Sequence, residues 1–257
     1  MILYVNGDSH AGGCESVHAN CMLQDGYGGP KVALDSYIRH QQSYVDTMLP
    51  FWKEEIGWAP WPDNLRTSYG QLLADQLGAE LHCHARAGGS NDRVFRTTQE
   101  YLKEFTPDFV LIGWSTWERE EWYNQDDNTW YQVNGSGADC VPEKWRQRYK
   151  EFVIDCWNDS NTIINNVHHK IWLLHNELTE RNIPHLFFNC YQPFSPQMVY
   201  NLPVHDWGQN YLEPYSDFSY FNYLVSRDCR YTPGLHFGPD GHKKWAEFLL
   251  PHLTQLL

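Results

Sequence analysis

The residues of this chain whose types and spacing could do chemistry stand near its two ends. Ile2 to Val5 is a short apolar run that breaks into Asn6-Gly7-Asp8-Ser9-His10 and then Gly12-Gly13. This pattern predicts a buried strand ending in a tight turn that presents Ser9 as a nucleophile. In open α/β sheets the loops at the carboxyl ends of the strands form the ligand crevice. Read alone, Gly-Asp-Ser is equally a turn closed by an Asx-type hydrogen bond. At the far end, Gly234-Leu235-His236-Phe237-Gly238-Pro239-Asp240-Gly241-His242 sets a histidine in a Gly/Pro loop ahead of an amphipathic helix. A first-loop serine and a last-loop histidine can meet across the top of a parallel sheet. There the imidazole would serve as general base and then general acid in acyl transfer.

These two blocks, in this order, resemble the SGNH (GDSL-like) hydrolase superfamily. Its first block is Gly-Asp-Ser, and its last is a histidine followed by Pro/Gly/Asn-type residues and Gly-His before the final helix. The resemblance implies a single-domain α/β/α sandwich with a mainly parallel, flavodoxin-like sheet. It also implies Ser9 as nucleophile, His236 as base, and an oxyanion hole built from the backbone N–H groups of Ser9 and Gly89. It spans most of the chain at the level of strand order, and its specific motifs are the first and last blocks. The string Gly89-Ser90-Asn91-Asp92 fits the superfamily's third block literally, but it follows the second strand. Aligned after the third strand, the family asparagine falls on Trp117 and its acid on Glu118. Asn91 therefore either supplies a side-chain donor in place of the missing one or caps the helix that follows. The acid expected three residues before the histidine is replaced by Pro233, which leaves Asp228, Asp240, a backbone carbonyl or no orienter. The GDSH start and IGWS third strand also resemble bacteriophage and marine bacterial sequences, for which a virion-associated, glycan-facing role would follow.

Such loops need a sheet to hold them. A chain of 257 residues, 42% hydrophobic, is consistent with one α/β domain. Strands are expected at 79–85, 107–113 and 184–189, with a short strand or turn near Asp228. Helices are expected from Thr67 to a stop at Gly78, after Asn91, from Pro142 and Glu143, from Asp159 through Leu178, and at the C-terminus. Three stretches, about 11–63, 118–142 and 191–226, exceed ordinary connectors and read as insertions over the active-site face, the first with a helix near 34–48. With twelve Trp and sixteen Tyr in the chain, such loops could stack on sugar rings. The expected activity is that of an esterase or O-deacetylase on a small-molecule or glycan ester. The reading from another class is a catalytically degenerate module that keeps the fold and binds through its aromatic loops.

A formal net charge of -13 argues against a nucleic-acid partner, which needs clustered Lys and Arg. The chain opens directly on a strand, with no signal-peptide pattern and no apolar run near the ~20 residues that cross a bilayer. No membrane span is expected, and a cytoplasmic location is the default. Seven irregularly spaced cysteines read as free thiols, with a Cys14–Cys21 bridge as the alternative. His82-Cys83-His84 places only the two histidines on one strand face, and without a second ligand cluster no metal or other cofactor is expected. His168, His169 and His175 read as partly buried or solvated helix residues. Arg93 and Arg119 could orient a carboxylate or pair with local acids. Nothing in the sequence signals an oligomeric state.

Overall fold

The computed structural model describes residues 1–14, 16, 62–134, 141–191, 194, 203–231 and 235–257. The helix expected near 34–48, and Cys21, lie outside the described residues. In chain order the elements are β1 (Ile2–Gly7), α1 (Pro62–Thr67), α2 (Tyr69–Leu77), β2 (Glu80–Cys83), α3 (Asn91–Glu104), β3 (Phe109–Trp114), β4 (Arg119–Asn124) and β5 (Thr129–Asn134). A 3-10 turn at Glu143–Trp145 leads into α4 (Arg146–Asn158), followed by α5 (Ser160–Glu180), β6 (His185–Asn189), α6 (Tyr220–Ser226) and α7 (Pro239–Leu256).

β1 pairs in parallel with β2 on one side and β3 on the other, and β3 pairs in parallel with β6, giving the order β2-β1-β3-β6. Beyond β6, Phe187 donates its N–H to Asn210 O (2.7 Å) and Leu212 donates to Phe187 O (2.9 Å), a parallel bridge that extends the sheet by one position. The inner strands are apolar almost throughout because both of their faces are covered. Successive side chains alternate between the faces. Tyr4, Val110, Ile112, Trp114 and Phe187 pack against α3, α4 and α5. Leu3, Val5, Leu111, Leu186 and Phe188 pack against α2, α6 and α7. The result is the α/β/α arrangement with a mainly parallel sheet that the sequence predicts.

Local signals fix most boundaries. Ser68 caps α2 by accepting the Gln71 N–H, and Gly78 stops it in a left-handed conformation at φ 61°. Asp159 caps α5 by accepting the Thr162 N–H. The cap of α3 is Ser90, which accepts the Arg93 N–H, so Asn91 is the first helical residue and not the cap. The stretch expected as a loop from 118 is instead the antiparallel hairpin β4–β5, reversed through Asn128 at φ 55°. Its Trp122 and Val133 are buried in the core, and that apolar face is why a polar, Asn-rich segment holds as strands. The 191–226 connection ends in α6, and Asp228 sits in a turn at φ 56°.

Two features generate predictions. Gly7 has φ 152°, and a Cβ there would lie 2.6 Å from Gly113 O and 2.7 Å from Ala11 Cβ. Gly7→Ala is expected to destabilise the fold by roughly 3 kcal/mol in denaturant unfolding, through backbone strain and overpacking. On the α5 face, His168 is fully buried and stacks on His205 (5.1 Å between centroids), and among the described residues neither of its ring nitrogens has a hydrogen-bond partner. Burial, then the neighbouring His205 and His169, holds it down to about 4, and burial likewise holds His185 down to about 4. Both are neutral in the fold, so their contribution is whole above about pH 6.5 and is lost as the pH falls toward about 4. Unfolding free energy measured across that range should fall with acid, and less steeply in His168→Phe.

Candidate active site

The site is built on the carboxyl end of β1. The Asn6 amide nitrogen reaches Tyr4 Oη and Thr97 Oγ1, both at 2.9 Å, and its Oδ1 accepts the Gly7 N–H at 2.8 Å. These bonds hold the strand end against α3. Gly7 then passes beside Gly113 of β3, and the chain winds into a compact turn, with Gly12 N–H donating to Asp8 O (3.1 Å) and Cys14 N–H to Ser9 O (2.9 Å). Ser9 lies in this turn, 6% exposed.

The centre of the cluster is Asp8, whose side chain is fully buried. Its Oδ1 accepts the His10 N–H at 3.0 Å and lies 3.1 Å from His10 Nδ1. Its Oδ2 accepts the Ser115 hydroxyl at 2.9 Å and Arg119 at 3.3 Å. Burial alone would raise the Asp8 carboxyl, but the charges of His10 and Arg119 and the hydrogen bonds from His10 outweigh it, so the group sits well below the usual carboxylate range. Cys190, just past β6, is pushed well up by burial and then by the charge of Asp8 and a hydrogen bond to it, which keeps the thiol protonated.

The same histidine joins the two ends of the chain. His10 Nε2 lies 3.2 Å from Leu235 O, and its ring centroid is 5.1 Å from that of His236. Ser9 and His236 therefore occupy adjoining loops at the carboxyl edge of the sheet, and His236 is 8% exposed. Behind them, burial and then His10 and His236 hold His242 down to about 3, and its Nδ1 accepts the Tyr69 N–H at 3.3 Å, tying α7 to α2.

The second loop departs from expectation. Gly89 is pressed onto the serine loop, since a Cβ there would lie 3.3 Å from Gly7 O, but its N–H donates to Arg86 O at 2.9 Å. Asn91 is buried with its amide turned to β3: Nδ2 donates to Ser115 O (3.0 Å), and Oδ1 accepts the Ser115 N–H (2.8 Å). In this arrangement Asn91 is a strut that holds the Ser115 loop. Trp117, where the family pattern places an asparagine, is buried in the core. Asp228 and Asp240 are both exposed residues. Arg119 pairs with Asp8, 111 residues away, and also touches Ser115 Oγ (3.0 Å), so the local-acid reading of this arginine is replaced by a long-range one.

Three participants escaped sequence reasoning: Ser115, His10 as a linker, and Gln132, whose Oε1 accepts the Ser90 N–H at 2.9 Å. The signal for His10 was present, a titratable ring directly after the turn serine. Ser115 and Gln132 had none. His82, from the His-Cys-His string, bonds to Glu80 (3.1 Å) and Tyr101 (2.8 Å), and among the described residues no group of three or more His, Cys, Asp or Glu side chains is arranged to hold a metal ion. Nor, among them, is any helix long and apolar enough to cross a membrane.

Asp8→Asn leaves Arg119 facing a neutral amide and removes an acceptor from His10. Breaking a buried ionic cluster in this way costs about 3–5 kcal/mol. Because the native carboxyl titrates below its unfolded counterpart, the stabilisation is whole above about pH 4 and fades in acid. Denaturant unfolding should show a large deficit for the variant near neutral pH that narrows toward pH 3.

Several solved structures align with this chain at low identity. An acetyl xylan esterase from the rumen bacterium Butyrivibrio proteoclasticus aligns at 13% identity and a TM-score of 0.46, covering 99% of this chain and 63% of that one, so this chain spans less than two thirds of that protein. A carbohydrate esterase, whose active site is described as having divergent catalytic and non-catalytic binding functions, aligns at 11% identity and TM-score 0.47, covering 99% and 68% of the two chains. A protein described as lipolytic, of the G-D-S-L family, from Desulfitobacterium hafniense DCB-2 aligns at 14% identity and TM-score 0.33, covering 98% of each. Likenesses of this order identify no activity. No curated protein matches the chain. A family model does match, over residues 63–202, a stretch that holds Gly89, Asn91, Ser115 and Arg119 but neither Ser9 nor His236. That match covers more than half of the chain, which therefore belongs to a family of unknown function, DUF6071.

Proposed function

We propose that the protein is a serine-dependent carboxylic-ester hydrolase with Ser9 as nucleophile and His236 as base. The observation that carries this reading is the bond from His10 to Leu235, which lays the serine loop against the histidine loop. The order of the Gly-Asp-Ser and terminal histidine blocks, with their resemblance to SGNH hydrolases, supports it. In the proposed reaction Ser9 Oγ bonds to the acyl carbon while His236 takes the hydroxyl proton. The tetrahedral intermediate then breaks its bond to the alcohol oxygen, and His236 returns the proton to that leaving group. Water attacks the acyl-enzyme by the same route and frees the acid. The N–H of Ser9 is assigned to the oxyanion. A second donor from Gly89 would require its N–H to turn from Arg86 O.

A glycan ester, and O-deacetylation, is the substrate class that the surroundings favour. Residues 119, 121 and 123 share one face of β4, and Tyr123 pairs across the hairpin with Trp130. Arg119 at the start of that face touches Asp8, while Tyr123 and Trp130, 40% and 37% exposed, lie about 13 Å further out by strand rise. An exposed aromatic pair along a polar strip suits the stacking of a sugar ring. The engaged amides of Gly89 and Asn91 favour the second reading, a non-catalytic binding module on the same fold.

The deciding experiment treats the wild type and Ser9→Ala with an active fluorophosphonate, reads intact mass, and follows p-nitrophenyl acetate turnover. The expected result is one adduct on the wild type, none on the variant, and loss of turnover by at least about 10³-fold. A folded wild type with neither adduct nor turnover would establish the binding-module reading instead.

A further inference from the structure

Resting on that esterase reading, we propose that His10 is a positioning residue: it clamps the backbone just before His236 to the buried Asp8 carboxylate and thereby sets the direction of the imidazole from the main chain.

The geometry is a chain of three groups. Asp8 Oδ1 lies 3.1 Å from His10 Nδ1, and His10 Nε2 lies 3.2 Å from Leu235 O. Asp8 cannot give way, because Ser115 and Arg119 hold its other oxygen. At the far end, Leu235 has φ 66°, a left-handed conformation that is unfavourable for a non-glycine residue and persists only when its surroundings enforce it. The bond from His10 falls on the carbonyl of this strained residue, one position before His236. A peptide rotation there would swing the His236 side chain, so the clamp sets the direction from which that imidazole can approach Ser9. With both ring nitrogens engaged, and with Nε2 facing a carbonyl, His10 is not itself a base.

The clamp has a protonation requirement. A carboxylate and a carbonyl both accept, so the ring satisfies both only when each nitrogen carries a hydrogen. The groups facing the ring are Asp8 on its own loop, with Arg119 behind it, His236 on the last loop, His242 on α7, Tyr220 on α6 at 5.6 Å edge-on, and Tyr191 after β6 at 6.3 Å. A ring with a single hydrogen can donate to only one of the two acceptors.

Three variants of the full-length protein test this. His10→Phe keeps the ring volume against Tyr220 and removes both bonds. His10→Gln can donate to one acceptor only, and His10→Ala serves if the phenylalanine variant fails to fold. On p-nitrophenyl acetate, kcat should fall about 30-fold or more in His10→Phe, with KM within threefold and the glutamine variant between it and wild type. 15N NMR of the wild-type imidazole should show a hydrogen on each His10 nitrogen, as two facing acceptors require. Amide exchange at His236 and Phe237 should quicken about tenfold or more in His10→Phe while exchange in β3 stays unchanged.

The exchange and NMR readouts need no turnover. If the wild type neither labels nor turns over, the esterase reading fails, yet faster exchange at His236 still supports the clamp. Unchanged exchange at His236 in His10→Phe, or a single hydrogen on the His10 ring throughout the pH range, overturns the proposal whatever the activity. Retained kcat in folded His10→Phe overturns it as well.

Discussion

The arrangement of this molecule depends on one buried anion. Asp8 has no exposed side-chain surface, and an isolated carboxylate in that position would cost several kcal/mol in lost hydration. It is tolerated because its partners arrive from different parts of the chain. His10 comes from its own loop, Ser115 from the end of β3, Arg119 from the start of β4, and Cys190 from the end of β6. Removing a partner weakens the compensation of that charge, so three loops at the carboxyl edge of the sheet, after β1, β3 and β6, are held in one mutual geometry. The hydrophobic layers set where the strands lie, and the carboxylate sets how their ends are arranged.

Sterics decide whether those ends can come close enough. Gly7 and Gly113 are register partners on β1 and β3, and neither has room for a side chain: a Cβ on Gly113 would lie 2.5 Å from Cys190 Sγ. Two strand ends without side chains let the Asp8 turn sink to the level of Cys190 and Ser115. The hairpin β4–β5 then closes the flank. Gln132 accepts from Ser90 and donates to Glu121 at 2.7 Å, and Glu121 is gripped by both arms of Arg96 at 2.7 and 2.8 Å. The Gly89 loop is thus tied to the hairpin by side chains, just as the serine loop is tied to the histidine loop.

The fold was legible because its signals are local. The apolar runs at β1, β3 and β6 are dense enough to read as doubly covered strands, and Ser68, Gly78 and Asp159 mark helix ends by known capping chemistry. The hairpin was not legible, since its strandedness comes from Trp122 and Val133 packing on distant helices while its outward face is Glu, Tyr, Gln and Asn. Of the candidate site, Ser9 and His236 could be picked out by residue type and neighbours. The partner of Asn91 could not be picked out, because a side-chain amide near a turn does not declare its partner, and here it is the backbone of Ser115. Arg119 was read as orienting a carboxylate or pairing with local acids, and which carboxylate it meets was hidden for the same reason, its acid lying 111 residues away.

The charges about Ser9 give a last constraint. In the proposed acyl transfer, a carboxylate on the residue before Ser9 should oppose the negative charge that would build on the substrate carbonyl. Here its charge is answered by the Arg119 guanidinium at 3.3 Å and by hydrogen bonds from the Ser115 hydroxyl and the His10 backbone. Compensation of this kind is strong where water is excluded. The groups that seat the carboxylate are therefore also the groups that offset its field at Ser9.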